Sequence, residues 1–419
     1  MRRHVFRIFL VALLASIVRP AVAETTLTIL THYTDAQRTP LTACLRDYQR
    51  DHPGIRIVHQ QSEIDDYLQT VLTARLSGTS PDIYNIYSIW SAQLIQAGIL
   101  DRPPPEVGRL INTGYLPSTV DAIKVGGNVW GIPTEVNAFM LIYNKKLFRA
   151  AGITAPPRDW NEVVADATRM TRRNTQGKIT TAGFAFGPTV ANGVYPFVAL
   201  LRSRGIEPFN ARLDGTNLTT PDASDVLTDE TRLFAKGITD NTIQVLDFPS
   251  GAVGMMIFAN WFKATLQQAF GAAMDETVGV APIPAGNNWK TLQYAFFWGV
   301  DANSPRKQEA WNLLAWLNSP RGANKQSCTG EMLGKLGALT GNRSDITAGP
   351  DDYGDAFSKP FVDAIASGRA GSLPNVVRNS EIQQELRLTI GRAWSGAQTP
   401  QAALQDADRK IKALLVDTN

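Results

Sequence analysis

Histidine and cysteine are both scarce in this 419-residue chain, with four of the first and two of the second. His4 lies at the extreme N-terminus, and His32, His52 and His59 have no His or Cys partner at metal-ligand spacing. No metal is expected. The sequence also lacks a Gly-x-Ser-x-Gly elbow, a phosphate loop ending in Lys-Ser or Lys-Thr, and a Gly-x-Gly-x-x-Gly turn after its first strand. These absences argue against serine hydrolases, nucleotide hydrolases and dinucleotide enzymes, and no cofactor is expected. Paired acids occur at Asp65-Asp66 and Asp351-Asp352. A glycosidase needs two carboxylates about 5 to 10 Å apart across a sugar. Neighbours on a helix point apart, so Asp65-Asp66 reads as a solvated helix face. The chain is not expected to be an enzyme.

Neither sign of charge dominates. Arg2, Arg3 and Arg7 precede the apolar run Ile8–Leu14, and Ala21-Val22-Ala23 is a small-x-small cleavage site. The pattern predicts a secretory leader over residues 1–23, removed after Ala23; its apolar run is far short of a bilayer span. General secretion is the expected route, with Arg2-Arg3 leaving twin-arginine export open. The formal net charge is +3, and the leader holds four Arg and no acid, so the remaining 396 residues carry −1. That balance gives no reason to expect nucleic acid or an anionic membrane as a partner. Cys44 and Cys328 leave two readings open: a disulfide formed in an oxidising compartment, or two thiols packed as small hydrophobes.

Strands and helices alternate clearly in what remains. Leu27–Tyr33 reads as a strand, and Thr39 and Pro40 open a helix with Leu41, Cys44, Leu45 and Tyr48 on one face. A strand ("IRIVHQQ"), a helix carrying Ile64, Leu68, Val71, Leu72 and Leu76, and the strand "DIYNIY" follow. Such alternation implies right-handed crossovers and a parallel sheet covered on both faces, an α/β fold. Further helix starts are marked by Asp159 with Glu162, by Ser304-Pro305 and by Thr399-Pro400. No repeat, heptad run or flexible linker divides the chain, so two lobes would be joined by several short crossings. Aromatic residues are the positive chemical signal. Tyr33, Tyr87, Trp90, Tyr195, Trp261 and Phe296 fall at predicted loops and strand ends, whereas Trp311 and Trp316 read as core. A sugar presents an apolar C–H face and a rim of hydroxyls, which suits aromatic stacking with polar edges.

Ordered motifs carry a resemblance over nearly all of the chain beyond the leader. They are Trp130-Gly131-Ile132-Pro133 through Tyr143-Asn144-Lys145 to Ala151-Gly152-Ile153, then "APPRDWNEV", "GAVGMMIFANW", "VGVAPIPAG" and "DANSPRKQEAWNLLAWLNSP". In this order they resemble the periplasmic sugar-binding proteins of ABC importers, the group that includes maltose-binding protein. The resemblance implies a two-lobed α/β fold, each lobe a mainly parallel sheet flanked by helices, with the ligand cleft between them. One lobe would comprise residues 24–134 and 293–335, the other 135–292 and 336–419, with hinges near 134–137, 290–295 and 335–345. The stretch after Gly131-Ile132-Pro133 would cross between lobes, placing Glu135 and Asn137 at the cleft mouth and Trp261 as a stacking platform. Tyr33, Asp35, Tyr87, Ser88 and Trp90 are further candidates at strand ends, with Tyr195, Phe296 and Arg378. Tyr294-Ala295-Phe296 departs from the family's usual Gly-Gly-Trp and leaves the sugar unassigned. The family layout puts Cys44 and Cys328 in the same lobe. The implied function is periplasmic sugar binding and delivery to an inner-membrane permease by a monomer, without catalysis. A polyol or glycerol-phosphate solute, with Arg38, Arg158 or Arg378 on the phosphate, and an exported glycosidase are the alternatives.

Overall fold

The computed structural model describes residues 24–323 and 325–416. The leader and its cleavage site lie outside the described residues. Strand β1 (Thr25–Thr31), helix α1 (Thr39–Asp51), strand β2 (Ile55–Gln61), helix α2 (Ile64–Ser77) and strand β3 (Ile83–Tyr87) form the first unit. β1 pairs in parallel with β2 over its whole length and with β3 at Ile29 and Leu30. Pro40 sits in the first turn of α1, where its missing N–H costs nothing, and Leu41, Cys44, Leu45 and Tyr48 are buried. Thr39 is the first helical residue rather than the cap; the cap position is Arg38.

Two long strands carry the chain across the molecule. The outgoing strand, Ile132–Asn144, is buried at every residue except Tyr143, as expected of a strand covered on both faces. Its first half pairs with the return strand, Thr291–Val300. Its second half pairs with Val253–Ala259 on one edge and Val278–Ala281 on the other. The return strand runs on to pair Phe296–Val300 with β3. Gly131 precedes the outgoing strand because a Cβ there would lie 2.1 Å from the Trp298 carbonyl oxygen.

The expectation of a mainly parallel sheet in each lobe is corrected beyond the crossing. There Ile179–Phe184 pairs in parallel with Val253–Ala259, while both partners of the outgoing strand run antiparallel to it. The crossing strands supply two-sided pairing without a crossover helix, so adjacent strands reverse direction. Cys44 on α1 and Cys328, at the start of the helix Cys328–Lys335, are joined as a disulfide with Cα atoms 6.1 Å apart. Both cysteines belong to a core that also contains Trp298, Trp311 and Tyr48.

Candidate functional site

A cleft of about 880 Å³ opens over the two crossing strands. Tyr33 follows β1, Tyr87 ends β3, and Trp90 lies in the single helical turn after it, so all three sit at the C-terminal ends of parallel strands. Glu135 comes from the outgoing strand, and Tyr294 and Phe296 from the return strand. Trp261 stands in the turn Asn260–Phe262 that follows Val253–Ala259. Tyr195 begins the helix Tyr195–Ser203, and Gln383, Gln384 and Arg387 project from the helix Asn379–Trp394.

The aromatic rings form one connected layer. Tyr87 stacks on Phe296 with centroids 4.7 Å apart and meets Tyr294 at 4.9 Å, and Tyr294 meets Tyr195 at 5.4 Å. The hydroxyls of Tyr87 and Tyr195 lie 2.5 Å apart, and the Tyr195 hydroxyl donates to Gln383 Oε1 at 3.2 Å. Burial raises the hydroxyl pKa of Tyr33, Tyr87 and Tyr294 well above the usual range and that of Tyr195 to about 12, so all remain neutral donors. His32, also in the lining, is lowered to about 4 by burial and is uncharged at neutral pH.

Glu135 is the buried acid of the floor, 8% exposed. Its Oε1 accepts from Asn137 Nδ2 at 2.9 Å and its Oε2 from the Tyr33 hydroxyl at 3.4 Å. Burial pushes its carboxyl pKa upward, and the two donors pull it back. A carboxylate accepts up to about four hydrogen bonds, so these two leave capacity for a ligand donor.

Of the residues expected from sequence, Tyr33, Tyr87, Trp90, Glu135, Tyr195, Trp261 and Phe296 line the cleft. Four do not. Asn137 is turned into the interior, between Glu135 and Asn260, rather than standing at the mouth. Asp35 is exposed and paired with Arg38. Ser88 is buried beneath the floor, its carbonyl accepting from the Ser91 hydroxyl. Arg378 directly precedes the helix Asn379–Trp394 and pairs with Glu381. Sequence reasoning missed His32, Gln37, Asp65, Tyr294, Gln383, Gln384 and Arg387. Tyr294 was recoverable, because strand alternation puts it on the same face as Phe296. Asp65 is solvated, as read, but its position at the start of α2 brings it to the cleft rim.

Residues 34–324 match the family described as bacterial extracellular solute-binding protein. The chain belongs to that family. A Brucella abortus chain named as a binding protein is 31% identical over 287 residues, covering 64% of this solute-binding protein and 66% of the relative, just under two thirds of its length. The erythritol/L-threitol-binding protein of Mycolicibacterium smegmatis is 28% identical over 48% of this chain and 43% of its own. The sugar-binding protein MalE of Xanthomonas citri superposes with a TM-score of 0.78 at 20% identity, covering 94% of this chain and 98% of its own. A solute-binding protein of Thermotoga lettingae bound with α-D-tagatose gives the same TM-score and identity over 94% and 100%. The structural matches establish the two-lobed periplasmic binding protein fold of this solute-binding protein.

Proposed function

We propose that this solute-binding protein captures a neutral carbohydrate in the cleft and delivers it, after lobe closure, to an inner-membrane ABC permease. The observation that carries this reading is the cleft's composition: a connected aromatic layer, one buried acid, Glu135, and the side chains of Gln383 and Gln384 in the same lining. Aromatic faces take the C–H surface of a sugar, and carboxylate and amides take its hydroxyls. The glycerol-phosphate alternative loses the arginines named for it, because Arg38, Arg158 and Arg378 do not line the cleft; Arg387 is the arginine of the lining. Residues 24–134 with 293–335 form one lobe in this reading, and 135–292 with 336–419 the other. The protein works in the periplasm as a monomer. Sugar touching both walls favours the closed state, and no bond is broken.

A thermal-shift screen across neutral sugars, polyols, uronates and sugar phosphates tests the reading, since a ligand that binds only the folded state raises the melting temperature. Neutral sugars should stabilise, and a response confined to phosphate esters would overturn the assignment. Recovery of the sugar intact after incubation separates a binder from a glycosidase. With a ligand in hand, Trp261→Ala should weaken binding by about 2 kcal/mol, roughly thirty-fold, as for a stacked anchor residue. Unchanged affinity with a sharp drop in melting temperature would make Trp261 a packing residue instead. Solution scattering should show a smaller radius of gyration with saturating sugar. Superimposable profiles would remove lobe closure from the mechanism.

A further inference from the structure

The outgoing strand changes partner along one edge just where it enters the cleft floor. Val136 lies opposite Leu339 of the short strand Leu339–Thr340, and Phe139 opposite Ala259 of the next strand. A break in the ladder between them would leave the Val136 carbonyl and the Ala138 amide without partners in a dry interior. The side chain of Asn260 closes that break. Its Oδ1 accepts from the Ala138 amide at 2.8 Å, and its Nδ2 donates to the Val136 carbonyl at 3.1 Å.

The amide nitrogen has a second proton, and it is also used. Asn260 Nδ2 donates to Asn137 Oδ1 at 3.2 Å, and Asn137 Nδ2 in turn donates to Glu135 Oε1 at 2.9 Å. Holding the Asn137 oxygen toward Asn260 leaves its nitrogen facing the carboxylate. Asn260 and Asn137 are each 1% exposed and Glu135 is 8% exposed, so the chain of amides stays dry until its last member reaches the cleft. Asn260 also directly precedes Trp261, in the same helical turn.

We propose that Asn260 is a positioning residue of the cleft: it splices the outgoing strand where its partner changes and, through Asn137, fixes the Glu135 carboxylate relative to Trp261. A splice alone would need only the two backbone contacts; the third bond ties the splice to the site. The titratable groups facing Glu135 are the hydroxyls of Tyr33, Tyr87 and Tyr294, and His32 shares the cleft lining. Lys263, beyond Trp261 in sequence, is engaged with Asp355, Ser358 and the Asp352 carbonyl.

The first test needs no ligand. The side-chain carboxyl of Glu135 is titrated by NMR in the wild type, Asn137→Ala, Asn260→Ala and the double variant. Asn137→Ala should raise the Glu135 midpoint by removing a donor, and Asn260→Ala should raise it in the same direction. The double variant should add nothing further, because Asn260 acts through Asn137. An unmoved midpoint in Asn260→Ala, or an additive rise in the double variant, would overturn the proposal. Should Asn260→Ala fail to fold, Asn260→Ser, which keeps a hydroxyl for the backbone, takes its place under the same criteria. The second test rests on the carbohydrate reading. Each single variant should weaken binding of the stabilising sugar by up to about ten-fold, the loss expected when a hydrogen bond from a misplaced Glu135 side chain is given up, and the two should be non-additive. Wild-type protein that binds no sugar defeats that reading alone, while the titration still decides the role of Asn260.

Discussion

Replacing Glu230 by glutamine is expected to raise the unfolding free energy at about pH 9 by on the order of 4 kcal/mol and to leave it little changed near pH 4.5. Glu230 lies on the helix Pro221–Ala235 and is 0% exposed. Its Oε2 accepts from Trp394 Nε1 at 2.9 Å, and its Oε1 has no partner among the described residues. Burial lifts its pKa from 4.5 to about 8; the Trp394 bond opposes the rise, Asp229 adds to it and Arg204 opposes it. The folded protein therefore holds this proton more tightly than the unfolded chain does. Its stabilising effect is full below the unfolded value near 4.5, declines as pH rises, and is gone once the folded group ionises above about 8. A glutamine side chain in its place does not titrate and can still accept from Trp394. Urea unfolding of both proteins at about pH 4.5, 7 and 9 measures the difference. Two parallel pH profiles would show that Glu230 does not control the alkaline loss.

Loss of the Cys44–Cys328 bridge is the second large effect. The double change Cys44→Ser and Cys328→Ser is expected to destabilise the protein by about 3 to 5 kcal/mol, because the bridged residues are 284 apart and the cross-link restricts a long unfolded loop. The helix Cys328–Lys335 runs into Leu336 and Ala338, which line the cleft. Freed from α1, that wall should hold ligand less firmly, so affinity should fall with stability. Denaturant unfolding with and without reductant, and thiol counting on the denatured, unreduced wild type, measure the first part, and titration of the double variant with the stabilising sugar measures the second. A double variant that unfolds at the wild-type midpoint would show the bridge to be energetically idle.

The first unit was legible because its signals are local. β1 to β3 announce themselves through β-branched runs, Pro40 and Gly78 mark helix ends, and the apolar face of α1 recurs at helical spacing. The crossing of the outgoing strand was legible only through ordered motifs, since a continuous apolar run does not say which sheet it joins. Within the cleft, aromatics at strand ends were readable by position. Asn137 was not, because its direction depends on Asn260, 123 residues away. Gln383, Gln384 and Arg387 were hidden for a similar reason: nothing in their helix marks which face meets the cleft, and only packing against the helices Pro400–Val416 and Pro221–Ala235 decides it. The mixed strand direction beyond the crossing was equally invisible, because strand polarity there follows from the crossings rather than from local pattern.

The pairing of β3 with the return strand bears on the order in which such a chain can be assembled as it is synthesised. Tyr87 finds its partner Phe296 about 210 residues later. Until that stretch arrives, one edge of Ile83–Tyr87 has open backbone groups and an almost wholly apolar sequence, the kind of surface that recruits other strands. The part made first is thus the part completed last, and a chain that ends before Phe296 should be more prone to aggregation than a whole one.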